Sequence, residues 1–259
     1  MIARVRLVRR ADLGSLSQHD ASIWRGLQLH PSAARQALLC AYERHRTLVV
    51  GAEEKKFKVH EELLCNGSAF FTSASNKEWE EVRKHCISLP DDDPSIVDLY
   101  LQWIYSGRIF SRQSTNGAPE DGKEFDLLID GFAFGEKVQD GDFKGAVIDA
   151  LIKSFAVPDK RRQRWCPAAP WVDRAYAGTP EESPLRRLLV AMYVFHRTNT
   201  WLHGTTNVNF LVDLAVRLGE DRRALPRTNT TKLDLSPCWY HDHGDDVSCY
   251  RAKFSGSAV

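Results

Sequence analysis

Hydrophobic and polar positions alternate with a period of two along Lys56-Phe57-Lys58-Val59-His60. Phe57 and Val59 fall on one face and the lysines on the other, which predicts a strand with one buried face. Leu48-Val49-Val50 precedes it across Gly51-Ala52-Glu53-Glu54, so the two runs form a hairpin. The period then changes. Glu61 to Cys65 reads as a short helix stopped by Asn66-Gly67, both of which tolerate positive φ. Ser68 can cap a second helix that carries Phe70 and Phe71. Ile87-Ser88-Leu89 is a third strand, and Asp93-Pro94 starts a helix: an Asp cap followed by Pro at the first helical position. That helix places Val97, Tyr100, Leu101 and Ile104 on one side and ends at Gly107.

Outside this stretch the pattern is mostly helical. Residues 1–31 have weak periodicity, and Ser32 to Arg46 predicts a helix with Ala37, Leu38, Ala41 and Tyr42 on one face. Residues 111–123 are a polar loop. Phe125 to Val138 and Phe143 to Phe155 predict two helices, the second capped by Asp142. Residues 156–184 contain closely spaced prolines and read as a linker. Leu185 to Phe195 and Val208 to Leu218 are helical, the latter stopped by Gly219, and residues 220–259 form an irregular tail.

Composition changes this picture little. The chain has 259 residues, 43% hydrophobic and 27% charged, with net charge +1. There is no global excess of cations for non-specific nucleic-acid binding. No apolar run approaches the roughly 20 residues needed to span a bilayer. The opening MIARVRLVRR reads as a poorly ordered basic tail, although a mitochondrial transit peptide has a similar composition. No signal peptide is apparent, so the six cysteines are expected as reduced thiols in an intracellular protein, cytoplasmic or nuclear.

Several of these motifs stand in the order of one family. Phe57-x-Val59-His60-x-x-Leu63-Leu64-Cys65-x-x-Ser68-x-Phe70-Phe71, then Ile87-x-Leu89-Pro90-Asp91-Asp92-Asp93-Pro94, then Tyr100-Leu101-x-Trp103-Ile104-Tyr105-Ser106-Gly107, resemble the BTB/POZ domain. The signature covers residues 46–110, and a domain with its leading helix would span 32–155. A helical C-terminal extension follows at 185–219. The layout is similar to stand-alone fungal BTB proteins. The resemblance implies an α/β fold, a small mixed sheet flanked by helices. It also implies a non-catalytic protein–protein interaction module that needs no cofactor and binds itself, a cullin scaffold or a client protein. Two positions depart from the family pattern. Arg46-Thr47 stands where an acidic residue is usual before the first strand, and Glu61 where Lys often follows His60. In related domains this region lines a charged pocket at the dimer interface, so the changed charges bear on homodimerisation.

Candidate chemistry is sparse. His60 has no ligand partner at useful spacing and reads as a structural histidine. Cys65 reads as an inert thiol on an apolar helix face. Trp79-Glu80-Glu81 matches the hydrophobic-x-Glu element with which BTB adaptors of cullin ubiquitin ligases contact the cullin, which marks Trp79 and Glu81 as candidate partner-binding residues. Were the chain an adaptor, residues 156–259 would recruit the client; the alternative is a dimerising scaffold or transcription-linked regulator. Cys238-x-x-His241-x-His243-x5-Cys249 offers two thiolates and two imidazoles, the ligand types of tetrahedral zinc, with Asp242, Asp245 and Asp246 as acceptors behind them. A zinc-dependent nucleic-acid or regulatory protein acting through this tail is a further alternative. Lys160-Arg161-Arg162-Gln163-Arg164 reads as a solvated linker face. No P-loop, dinucleotide fingerprint, nucleophile elbow or HExxH motif appears.

Overall fold

The computed structural model describes residues 44–76, 86–111, 122–156, 167–196, 207–224, 237–243 and 248–254. Strand β1 (His45–Val50) lies in the middle of a three-stranded sheet. It pairs antiparallel with β2 (Lys55–His60), with Leu48 opposite Phe57, and parallel with β3 (Cys86–Leu89), with Val50 opposite Leu89. The alternation predicted for the hairpin is observed: Arg46, Leu48 and Val50 are buried and their neighbours are not. Gly51 turns the hairpin at φ 72°, and its N–H donates to Leu89 O at 3.0 Å. The helix expected to reach Arg46 gives way to strand by His45, because those β-branched and alternating residues pair in the sheet. The rest of that helix lies outside the described residues.

Helices α1 (Glu61–Gly67) and α2 (Ala69–Asn76) follow β2 without a break. Ser68 Oγ accepts from Phe71 N at 3.1 Å, the predicted cap, and donates to Val138 O at 2.5 Å. Asn66-Gly67 does not stop α1 through positive φ; the chain leaves α1 in an extended conformation at Ser68. Gly67 is needed for a different reason. A Cβ there would lie 2.6 Å from Asp140 Oδ2.

Helix α3 (Pro94–Ser106) begins and ends as the sequence predicts. Asp93 Oδ1 accepts from Ser95 N at 2.7 Å, and Gly107 adopts φ 67° with its N–H on Trp103 O. Its buried residues run nearly round the helix, from Ile96 and Val97 through Leu99, Tyr100 and Leu101 to Trp103. The helix is therefore enclosed, with a wider apolar surface than the single stripe predicted. Tyr100 lies among aromatic rings: Phe143 at 5.0 Å, Phe134 at 5.5 Å and Phe71 at 6.0 Å between centroids.

Helices α4 (Lys123–Val138) and α5 (Gly141–Ala156) form a hairpin behind α3. The residue that caps α5 is Asp140, two places before the Asp142 expected from sequence. Its Oδ1 accepts from Phe143 N at 2.8 Å, while Asp142 points to the Lys253 ammonium at 2.6 Å.

Two prolines of the segment read as a linker start helices instead. Pro170 lies in the first turn of α6 (Ala169–Gly178), and Pro184 opens α7 (Pro184–His196), where a missing N–H costs nothing. Helix α6 buries Val172, Ala175 and Tyr176. Helix α8 (Val208–Ala224) runs past Gly219, which is not a stop here: it lies inside the helix with open space around it. Tyr176, Tyr193, Phe210 and Leu214 make a second apolar cluster between α6, α7 and α8. The tail contributes a 3-10 turn (Pro237–Tyr240) and a short helix α9 (Tyr250–Phe254), both packed against α5.

Two predictions follow from this packing. Phe71 is fully buried, stacked on Tyr100 and edge-on to Phe70. Phe71→Ala should cost roughly 3–5 kcal/mol, the usual range for a buried Phe. A variant that melts within a degree or two of the wild type would show the residue to be outside the core. Asp140 gives a pH signature. Burial pushes its carboxyl up from 3.8 to about 6, against the hydrogen bonds from Phe143 N and Tyr100. A carboxyl raised in the folded state binds its proton more tightly there than in the unfolded chain. It therefore adds stability as pH falls below 6 and loses it as pH rises. Relative to Asp140→Asn, the wild type should gain about 1–1.5 kcal/mol between pH 7 and pH 5 in urea unfolding. A constant gap, or one of opposite sign, would refute this.

Candidate functional site

The block from Phe57 to Phe71 carries no chemistry of its own. Phe71, Val59 and Leu64 are core, and its two reactive residues are occupied structurally. The Tyr105 hydroxyl accepts from the His60 backbone N–H at 3.2 Å and lies 2.7 Å from His60 Nδ1. The neighbouring His45 ring lies 4.4 Å away, and burial followed by that neighbour holds His60 below the usual histidine range. Cys65 Sγ is 3.5 Å from Ser75 Oγ and 3.7 Å from Phe71 O, a half-buried thiol packed between α1 and α2.

The two departures from the family pattern meet each other. Arg46 Nη2 donates to Glu61 Oε1 at 2.8 Å, with both side chains largely withdrawn from solvent. Glu61 is also in the first turn of α1, where a negative charge is favoured by the helix dipole. The candidate partner residues Trp79 and Glu81 lie outside the described residues, as does the basic run 160–164.

The tail is where side chains with metal chemistry converge. One potential ligand atom from each of Cys238, His241, His243 and Cys249 lies within 4.8 Å of the others. Around a tetrahedral zinc with bonds of about 2.0–2.3 Å the ligand atoms are roughly 3.3–3.8 Å apart, so a contraction of about an ångström would complete the shell. The local structure explains how residues eleven positions apart meet. The 3-10 turn brings His241 N onto Cys238 O at 3.4 Å, which folds Cys-x-x-His back on itself. Cys249 precedes α9, its carbonyl accepting from Ala252 N at 2.9 Å. Burial raises the Cys249 thiol above its ordinary value, and the adjacent Cys238 adds to the rise. Two thiolates side by side are unfavourable until a cation lies between them.

The cluster is anchored to α5 by polar contacts that the sequence alone did not reveal. His241, almost fully buried, places Nδ1 3.3 Å from Cys249 Sγ and Nε2 3.1 Å from Asp149 Oδ1. Tyr250 OH and Arg251 Nε donate to Asp149 Oδ2, the latter at 2.6 Å. Asp242, expected to back the metal, bonds instead to Lys144 at 2.5 Å, an ammonium that Glu136 also meets at 2.9 Å. Asp245 and Asp246 are outside the described residues. The one sequence signal for Asp149 is an acid inside the apolar run Ala146-Val147-Ile148-Asp149-Ala150-Leu151. On the outward side, Trp239 is 70% exposed and lines an open hollow with Arg187, Cys238 and His241.

Residues 43–119 match the family model described as BTB/POZ domain. No curated protein matches the chain. Among the described residues no helix is long and apolar enough to cross a membrane.

Proposed function

We propose, from the premise that residues 43–119 are a BTB/POZ domain, that this chain is a cullin ubiquitin-ligase adaptor: one protein joining a scaffold to a client. BTB/POZ domains mediate protein–protein interaction and dimerisation and are in general non-catalytic, so partner binding is the activity to expect. The single observation that carries the reading is the family match across the sheet and α3. The hydrophobic-x-Glu element at Trp79 and Glu81 supports the finer assignment, an apolar anchor beside a carboxylate being a common interface centre. Residues 156–259 would then hold the client. In that region α8 keeps Val208, Val212 and Val216 exposed on one face.

The competing reading is a dimerising scaffold or transcription-linked module without ligase function. Binding to a purified cullin N-terminal region, measured alongside the sedimentation mass of the free protein, separates the two. The adaptor reading expects wild-type binding, weakened by Glu81→Ala at unchanged melting temperature. Absence of wild-type binding, or equal binding by both proteins, would count against it, and a dimer that ignores cullin would favour the scaffold.

A second reading concerns the tail and is carried by the convergence of four soft ligands on one point. Cys238, His241, His243 and Cys249 bind one zinc ion, which orders residues 237–254. The BTB domain needs no such cofactor. A short tail that draws its order from metal should lose it on chelation. Purified protein should therefore contain about one zinc per chain by elemental analysis. Chelation should open residues 237–254 to protease while the BTB core stays resistant. Metal content unchanged in the Cys238→Ser, Cys249→Ser double variant would sink this reading.

A further inference from the structure

We infer that Asp149 is the positioning residue of this metal centre: its carboxylate fixes the His241 ring so that Nδ1 faces the ion, and thereby ties metal binding to docking of the tail on α5. The inference rests on the zinc reading above. It adds a residue that is no ligand and lies 92 positions away in sequence from the histidine it orients.

The argument starts from burial. Asp149 is 3% exposed, on a helix whose adjoining residues Ala146, Val147, Ile148 and Leu151 are all buried. A carboxylate in such surroundings is costly unless it is fully hydrogen-bonded. Its side-chain partners are His241, Tyr250 and Arg251, and all three come from the tail. The Arg251 guanidinium pairs with Asp149 Oδ2 at 2.6 Å, so the group that faces His241 is a carboxylate. An ionised carboxylate can only accept, so Nε2 of His241 must carry the proton. In the neutral ring the lone pair is then on Nδ1, the nitrogen that lies 3.3 Å from the Cys249 sulfur. A metal ligand must be the neutral imidazole with its free nitrogen toward the ion, and a carboxylate on the other nitrogen sets that tautomer and increases its basicity.

The other two donors have a separate role. Arg251 reaches Asp149 Oδ2, while His241 reaches Oδ1. Arg251 neutralises the carboxylate without touching the imidazole. Tyr250 packs its ring 5.4 Å from His241 and 5.7 Å from Trp103 of α3, so the docked tail reaches the core of the domain. Removing Arg251 should loosen docking more than it alters the ligand; removing the charge of Asp149 should alter the ligand itself.

The test compares full-length wild type, Asp149→Asn and Arg251→Ala. Co²⁺ titration reads the thiolate charge-transfer band, and zinc competition against a chromogenic chelator reads affinity. Wild type should bind one equivalent. Asp149→Asn should bind about 10–100-fold more weakly. Arg251→Ala should lose less than Asp149→Asn. Histidine ¹⁵N NMR of the zinc-loaded wild type should show His241 protonated at Nε2 and ligated at Nδ1, a signature that a merely structural role would not set. If wild type binds no metal, the zinc reading itself fails. If wild type binds and Asp149→Asn binds equally well, or if His241 ligates through Nε2, the positioning role is overturned while the zinc reading stands. Should Asp149→Asn fail to fold, the NMR assignment on wild type still decides.

Discussion

The buried carboxylate of Asp140 holds the architecture together where four helices meet. It sits at the junction of α4 and α5, caps α5 through Phe143 N, and receives the Tyr100 hydroxyl of α3 at 3.2 Å. Its other side lies so close to α1 that only glycine fits at position 67. Ser68 adds a second tie one residue on, between the α2 cap and the end of α4. The apolar contacts around Tyr100 supply the driving force, but these polar ties set the angles at which the helices pack. The direction of α5 matters beyond the core, because α5 carries Asp142, Lys144 and Asp149, three residues on which the tail is fastened.

Asp140 and Asp149 occupy the same helix region and are almost equally inaccessible, yet burial wins at one and loses at the other. Asp140 accepts from one amide and one phenol, both neutral, and its carboxyl is raised to about 6. Asp149 accepts from a guanidinium, a phenol and an imidazole, and its carboxyl is lowered. Three side-chain donors, His241 first and then Arg251 and Tyr250, outweigh burial at Asp149, whereas one phenol and backbone amides do not at Asp140. The first carboxylate therefore serves as a packing joint that tolerates a proton. The second, paired with the Arg251 guanidinium, is suited to orienting a histidine and holding the tail.

Elements whose signals are local were legible in the sequence. The alternation over 56–60, the Ser68 cap, the Asp93-Pro94 start and the Gly107 stop depend only on neighbours a few residues away. The Cys/His cluster was legible as a set of ligand types, and the structure brings those four residues together. The errors came where a distant contact decided. Gly67 looked like a helix stop and is a site of close approach. Asp142 looked like a cap, but Asp140 is the residue that turns inward. Prolines 170 and 184 looked like linker residues, and apolar positions such as Val172 and Leu188 made helices of their surroundings. Asp149 could not be connected with His241 from sequence, since nothing local links a helix in the domain to a histidine in the tail.

The Arg46–Glu61 contact illustrates the same point at the scale of a pair. Taken singly, a cation where an acid is usual and an acid where a cation is usual look like two losses of function. Joined at 2.8 Å they are one ion pair. Arg46 is buried on the central strand, where the Glu61 carboxylate offsets its guanidinium. Glu61, at the start of α1, supplies that anion and also gains from the helix dipole.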